Sequence, residues 1–426
     1  MRSDVVVVGG GPAGASLAIR LARAGTQVCV VDRARFPRDK PCGEFLSPGA
    51  TPILEELGVR GAVEAAGARR LERVRIVAHG AAVELEFPDD EGAAPWGYSL
   101  SRRALDAILL DAARAAGARV LEATRVEGVR FEPGRAIIAS RGADGEPLEI
   151  GARLVVGAGG RNCPVARALG TQQRDARARF DLLAHWTGRP ALFGTGGERG
   201  ASDPDDPEPT VCELRVGGDR YIAVAPVENG RWNVNCVVSR SALRDEPEPE
   251  ILYRRVLGAA ASSEAATVRS PASAGATPVE DVVASDVTPL RARRAISERA
   301  LLIGDAALFL DPFTGQGLYL ALRSAALAAA VVPRALANGA SRASLAAYEE
   351  ARAAEFDARR RVSRALQAVL YRPRAAHAVI HSLARDRVLA RTLASATGDL
   401  IPSERVWSAG FAVRLLGNSI AGRIRT

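Results

Sequence analysis

Asp4-Val5-Val6-Val7-Val8-Gly9-Gly10-Gly11-Pro12-Ala13-Gly14 constrains the fold of this chain more than any other stretch. Four consecutive valines suit a parallel strand buried on both faces. The glycines turn that strand directly into a helix starting around Ala13. Gly9 permits the tight turn, Gly11 lets a pyrophosphate approach the backbone, and Gly14 lets the helix pack closely on the strand. The free N–H groups and positive dipole end of the helix then face the phosphates. A second strand, Gln27-Val28-Cys29-Val30-Val31, ends at Asp32. That carboxylate stands about 20 residues beyond the glycines, where it can hold the hydroxyl pair of a ribose. Strand, glycines, helix, strand and acid in register predict a dinucleotide site.

The rest of the chain divides by its periodicity. Residues 33–49 form a loop rich in Pro, Gly and Arg, followed by a short helix over 52–57. Strand-like alternation over 73–77 and 82–87 predicts a small antiparallel sheet. From 102 to 116 the period is helical, with Leu105, Ile108, Leu109 and Ala112 on one face. A second buried strand, Arg153-Leu154-Val155-Val156-Gly157, ends in glycines. Residues 211–216, 221–227 and 232–239 read as a β-meander, with polar loops at 198–209 and 245–250. Ala300-Leu301-Leu302-Ile303-Gly304-Asp305 returns to the nucleotide pattern, and an alanine-rich helix follows over about 317–338. Helices fill the remainder, with breaks at Tyr371-Arg372-Pro373 and near Gly398-Asp399-Leu400-Ile401-Pro402.

At 426 residues the chain has room for two or three domains. The five cysteines lack metal-ligand spacing, so free thiols in a reducing cytoplasm are expected. The first strand begins at once, leaving no room for a signal peptide, and no apolar run of spanning length is expected. The net charge of +8 is unevenly placed, because residues 351–426 carry fourteen arginines against five acids. A solvated helical face explains that excess; contact with an acidic carrier, an anionic substrate or a membrane surface is the sharper alternative. No nucleic-acid motif accompanies the charge. His377 and His381 share a helix face without an acidic third ligand in register, so no metal site is expected.

Three distant segments need a common explanation: the N-terminal glycines, Arg102-Arg103-Ala104-Leu105-Asp106, and Gly304-Asp305-Ala306-Ala307 followed by Asp311-Pro312-Phe313-Thr314-Gly315-Gln316-Gly317. In the last, a strand edge offers a carboxylate to a polyol. The following helix offers its N-terminus to negative charge. Together they resemble the flavoprotein group that includes p-hydroxybenzoate hydroxylase and the geranylgeranyl reductases. The resemblance covers essentially the whole chain and implies FAD. It places Asp305 on the ribityl chain, Gly315, Gln316 and Gly317 with Pro312 against the ring, Arg102 on the pyrophosphate, and Asp32 on the adenosine ribose. Gly9, Gly11, Pro12, Ala13, Gly14, Arg33, Cys42, Gly43, Val126 and Gly304 complete the expected cofactor contacts.

The fold expected is α/β: a discontinuous Rossmann-like FAD-binding domain with an inserted antiparallel β-sheet substrate domain and a C-terminal helical segment. The boundaries are 1–72, 100–175 and 285–345 for the first, 73–99 and 176–284 for the second, and 346–426 for the third. Lys40-Pro41-Cys42-Gly43-Glu44 is similar to a Lys-x-Cys-Gly segment that lies along the flavin in geranylgeranyl reductase-like proteins, and halogenases carry a comparable Gly-Glu stretch. Cys42 and Glu44 are therefore the candidate catalytic residues, with a turn residue and a loop anchor as their plainer roles. Tyr221, Trp232, Asn233 and Asn235 are expected to face an apolar or aromatic substrate, and His185 is a candidate base. Gly159-Gly160 stands where the hydroxylases have Asp-Gly, which leaves open whether NAD(P)H binds directly or a separate flavin reductase supplies electrons. The only lysine is Lys40, and Arg231-Trp232-Asn233-Val234-Asn235 does not match the halogenase Trp-x-Trp-x-Ile-Pro segment.

These features imply an FAD-dependent oxidoreductase of specialised metabolism. The leading expectation is a monooxygenase acting on an aromatic or polyketide-like substrate through a flavin C4a-oxygen adduct. Reduction of prenyl or other alkene double bonds is the alternative, and a non-catalytic FAD-containing interaction protein the minor one. Carrier-bound substrate, peripheral membrane contact through the basic C-terminal region, and a monomer or homodimer all remain open.

Overall fold

The computed structural model describes residues 1–88, 96–176, 178–188, 211–261 and 276–415, so the polar loop expected at 198–209 and the arginines beyond 415 lie outside the described residues. The valine strand Arg2–Val8 is the centre of a mixed eight-stranded sheet. It pairs in parallel with Val28–Val31 on one side and Pro147–Gly157 on the other. Arg119–Leu121 and Ala300–Leu302 extend the parallel set outward. Val5, Val6 and Val7 are fully buried, as a strand covered on both faces requires. The strand at 147–157 begins earlier than the sequence suggests, because its first half pairs with an antiparallel hairpin, Arg125–Glu132 and Arg135–Arg141.

The glycine turn is sterically determined. Gly9 has φ +114°, and a Cβ there would lie 2.5 Å from the Ala158 carbonyl oxygen. A Cβ on Gly14 would lie 1.9 Å from the Gly9 carbonyl oxygen, so helix Pro12–Arg23 can sit this close to its strand only with glycine there. Helix Gly317–Ala337 packs against the same helix. By length and composition it is apolar enough to cross a membrane, contrary to the expectation of no such run. Its buried Leu318, Leu322, Ala325 and Val332 instead belong to the core cluster around the central sheet.

The second large sheet runs in the order Thr277–Pro278, Arg179–Thr187, Arg231–Ser239, Arg220–Pro226, Val211–Gly217, Arg73–Ala78, Ala81–Glu86. It is antiparallel except where Val211–Gly217 meets Arg73–Ala78 in parallel. Strict alternation gives it two different faces. Trp232, Val234 and Cys236 pack with Leu252, Tyr253 and Val256 of helix Pro249–Ala261. Tyr221 and Val237 join Ile380, Leu383, Leu389 and Leu393 on the other face. The last four residues belong to helices Pro373–Arg385 and Arg387–Thr397, which follow helix Ala346–Leu370 after the break at Tyr371-Arg372.

Beyond this apolar packing, a buried carboxylate just after these helices binds residues of the glycine-turn half and of helix Ala346–Leu370. Asp399 accepts hydrogen bonds from Ser47 Oγ at 2.8 Å, Gln316 Nε2 at 2.6 Å and Arg359 Nε at 2.9 Å. Burial pushes its acid constant up to about 6, against the opposing charge and hydrogen bonds of Arg359. Asp399→Ala would leave the buried Arg359 Nε without its carboxylate, with only Glu355 and Tyr319 still on that guanidinium. We expect it to cost about 3 kcal/mol in urea unfolding, whereas Asp399→Asn, which keeps two of the contacts, should cost less.

Candidate functional site: a groove along the glycine turn

Two hollows meet at the glycine turn. The outer cleft is lined by Gly9, Gly11, Asp32, Arg33, Lys40, Val126 and neighbouring backbone, and the inner cavity by Gly11, Pro12, Ala13, Lys40, Cys42, Gly43, Arg102, Asp305, Pro312, Gly315 and Gly317 among others. They share Gly11, Lys40, Pro41 and Ala158, so they form one groove.

Asp32 accepts from Gly10 N at 2.7 Å and Ala34 N at 2.8 Å, which fixes its carboxylate at the end of the second strand. At the junction, Arg102 forks onto Asp106 with two bonds of 2.7 Å, and Arg38 Nη2 lies 3.0 Å from the same carboxylate. Two guanidinium groups thus share one fully buried acid, leaving an excess positive charge. Arg38 Nη1 is buried without a partner, and the Arg102 and Arg38 Nη2 atoms lie 3.7 Å from where a Gly11 Cβ would project. Lys40 adds a third cation; burial foremost, then the charge of Arg102, hold its ammonium below its usual acid constant. An anion beside Gly11 would satisfy these groups and the helix N-terminus together.

On the inner side, Gly315 has φ +68° and a Cβ there would strike the Phe45 ring at 2.6 Å, so the loop before helix Gly317–Ala337 closes tightly on Phe45. Gly304 does not line the cavity. It lies beneath it, where a Cβ would be 2.9 Å from Ala13 Cβ, and its neighbour Asp305 faces the space. Gly14 is likewise a packing residue, and the Gln316 side chain turns away to Asp399.

Glu44 has the left-handed φ of 55° and is almost completely buried. One carboxylate oxygen accepts from Arg102 N at 2.9 Å; the other accepts from His185 Nε2 and Asn233 Nδ2, each at 2.8 Å. The Arg102 amide opens helix Arg102–Ala115, whose N-cap is Ser101, so a carboxylate there is favoured by the helix dipole. Each oxygen is thus engaged, which ties the Glu44 loop to helix Arg102–Ala115 and to two strands of the second sheet. His185 also meets Glu280 through Nδ1 at 2.5 Å. Burial alone would depress its acid constant, but the hydrogen bonds and charges of Glu44 and Glu280 outweigh that and push it up to about 9. His185 is therefore an imidazolium clamp at neutral pH, and is not free to act as a base. Cys42 lines the cavity, and burial pushes its thiol up despite the opposing charge of Arg102. It presents a thiol there, not a nucleophilic thiolate.

The four residues expected to face substrate stand behind the wall. Trp232 points to the opposite face of its sheet, because adjacent strand residues alternate and Asn233 takes the groove side. Tyr221 donates to Asp311 at 2.9 Å, Asn233 holds Glu44, and Asn235 backs Asp181. The cavity lining on that side includes Asp181, Arg161 and Asp311, interspersed with Val287, Phe309 and Leu310. The sequence carried a signal for it: polar residues at 181 and 185 and at 233 and 235 interrupt otherwise apolar strands on one face.

A family model described as an FAD binding domain matches residues 2–362. The chain belongs to that family. It is 32% identical over 338 residues to a menaquinone reductase of Mycobacterium tuberculosis, covering 77% of this chain and 76% of the relative. It is 32% identical over 339 residues to a 6-methylpretetramide 4-monooxygenase of Streptomyces rimosus, covering 76% and 74%. The solved structure of CmlS, a flavin-dependent halogenase, superposes with a TM-score of 0.69 at 26% identity over 90% of this chain; the chain spans 65% of that protein's length. The enzyme is an FAD-dependent oxidoreductase with a mixed α/β fold. The shared cationic junction, the orphaned Arg38 nitrogen and the side-chain-free approach at Gly11 fit the pyrophosphate of FAD.

Because His185 is raised from 6.5 to about 9, its clamp contributes stability that is complete below pH 6.5 and is lost as pH rises through 9. We expect the thermal midpoint to fall across that window by the equivalent of about 2 kcal/mol. His185→Gln should flatten this part of the profile while lowering stability at neutral pH.

Proposed function

We propose that this enzyme is a monooxygenase that inserts one atom of dioxygen into a hydroxylated aromatic or polyketide-like molecule held in the inner cavity. The observation that carries the reading is the wall facing the Pro312-to-Gly317 loop. Asp181 and Arg161 line it, with Asp311 at the start of that loop and Val287, Phe309 and Leu310 among them, backed by Tyr221 and Asn235. Such a wall suits a substrate with oxygen substituents, since hydrocarbon there would leave buried polar groups unpaired. The related 6-methylpretetramide 4-monooxygenase supports the same class of chemistry.

Asp32 would hold the adenosine ribose of FAD, Gly11 with Arg102, Arg38 and Lys40 its pyrophosphate, and Asp305 its ribityl chain. Bound FAD supplies the electrons and, once reduced, the reactivity toward dioxygen. The chain supplies position and field. The N-terminus of helix Gly317–Ala337 stabilises negative charge beside the Gly315 turn. Glu44, fixed from three directions, holds the Cys42-Gly43 backbone against the cavity, and Phe45 closes the space behind Gly315.

A second reading, reduction of an alkene in a prenyl chain, is supported by the Lys40-Pro41-Cys42-Gly43 loop on the cavity floor and by the related menaquinone reductase. Exposed Val388, Trp407 and Val413 on an arginine-rich C-terminal region would suit a membrane-borne substrate under that reading.

Photoreducing the FAD-loaded enzyme without oxygen, then mixing it with isotopically labelled dioxygen and hydroxylated anthraquinones, separates the two. We expect one labelled oxygen atom in the product. Absence of label, together with saturation of a prenyl double bond in a menaquinone probe, would replace the first reading by the second.

A further inference from the structure

Behind the inner cavity, the polar side chains of strands Arg179–Thr187 and Arg231–Ser239 form a chain of fixed direction. Register pairing sets Asn233 opposite His185 and Asn235 opposite Leu183, which brings both amides onto the face shared by Asp181 and His185. Asn233 Nδ2 donates to the Cys42 carbonyl at 2.9 Å and to Glu44 at 2.8 Å. Its oxygen must therefore face Asn235, from whose Nδ2 it accepts. With that N–H₂ group committed, the Asn235 oxygen is the end that meets Asp181, 2.9 Å from one carboxylate oxygen and 3.3 Å from the other. Two oxygens at 2.9 Å attract only when a proton lies between them, and an amide oxygen carries none. The proton belongs to Asp181.

Turning Asn235 alone would set its oxygen against the oxygen of Asn233. Turning both amides would aim the Asn233 oxygen at the Cys42 carbonyl and the Glu44 carboxylate, two acceptors. Glu44 already accepts from His185 Nε2 and the amide of Arg102, and the Cys42 carbonyl can only accept, so neither offers a hydrogen to an Asn233 oxygen turned their way. One arrangement leaves no facing acceptors, and it has a neutral acid at Asp181.

The groups around Asp181 agree. Burial pushes it up to about 7, Asp311 reinforces that, and Arg161 opposes it. Arg161 donates to Ser285 at 2.8 Å and lies over the Phe309 ring. Tyr221 on the same face, and Cys236 and Tyr253 on the other face of the sheet, are the other titratable groups whose charge Asp181 affects, and all are held neutral, chiefly by burial. Asp311 is engaged differently, since it accepts from Tyr221 Oη at 2.9 Å and Phe313 N at 3.1 Å.

We propose that Asp181 is the proton donor of the inner cavity, held as a neutral acid by the oriented Glu44–Asn233–Asn235 chain and placed to protonate an anionic oxygen of the bound substrate. The inference rests on the reading that substrate occupies this cavity. In the step, the Asp181 O–H bond breaks as an O–H bond forms on a phenolate or enolate oxygen. The bonding pair stays on Asp181 as a carboxylate, and nothing is oxidised or reduced. That carboxylate then faces the Asn235 oxygen, so it recovers a proton from water when product leaves.

The test is infrared difference spectroscopy of the FAD-loaded enzyme titrated through pH 7, which needs no turnover. We expect a protonated-carboxyl band with a midpoint near 7, absent from Asp181→Asn. In Asp311→Asn the band should persist with a lower midpoint, because Asp311 raises that of Asp181. A band unchanged in Asp181→Asn, or one abolished by Asp311→Asn, would overturn the assignment even if one variant folds poorly. Asp181→Asn should also retain the wild-type flavin absorption while slowing single turnover of a hydroxylated anthraquinone about 100-fold; an unchanged rate would refute the donor role. Failure of labelled oxygen to enter product would instead count against monooxygenation, leaving the infrared result intact.

Discussion

Glu44 is the interaction on which the site depends. A carboxylate this deeply buried is costly unless every oxygen is satisfied by a strong donor. Here the donors come from three separate parts of the chain: the first amide of a helix in the nucleotide-binding half, and a histidine and an asparagine on neighbouring strands of the second sheet. Satisfying one residue therefore docks the second sheet against that helix and sets the floor of the cavity between them. The positive φ at Glu44 is sustained because those bonds over-determine it.

The pyrophosphate end uses the opposite imbalance. Asp106 is shared by two arginines, too few negative charges for the cations present. Left alone, such a cluster repels itself. Beside a helix N-terminus and a glycine without a side chain, it becomes a place where an anion is strongly preferred. The contrast between an over-satisfied acid at the inner end and under-neutralised cations at the outer end gives the groove its direction.

The nucleotide half was legible in the sequence because its requirements are local. A buried parallel strand, a turn that excludes side chains and an acid at the next strand end are each written within a few residues. The shared cavity lining of Gly11, Cys42, Arg102, Asp305 and Gly315 is what the resemblance to the flavoprotein group implies for these motifs. The substrate wall was less legible, because which face of a strand looks at the groove depends on partners far away in sequence. Trp232, the largest side chain of its strand, points the other way, while Asp181 sits on the groove side of an otherwise apolar strand. Asp106 was visible only as part of a helical pattern, since its role appears when Arg38 is folded back onto it. A histidine on a strand suggests a base, and only the two carboxylates on either side of His185 reveal a clamp.

Asp399 gives the C-terminal helices a share in the cofactor's fate. It binds Gln316, which lies between the two glycines of the inner loop, and its backbone leaves no room for a side chain at Gly49. Occupancy of the groove and order in the last third of the protein are thus thermodynamically linked, and linkage is reciprocal. A ligand that steadies the loop must steady the distant helices by the same free energy, and anything that draws those helices away must loosen the flavin's grip from a distance.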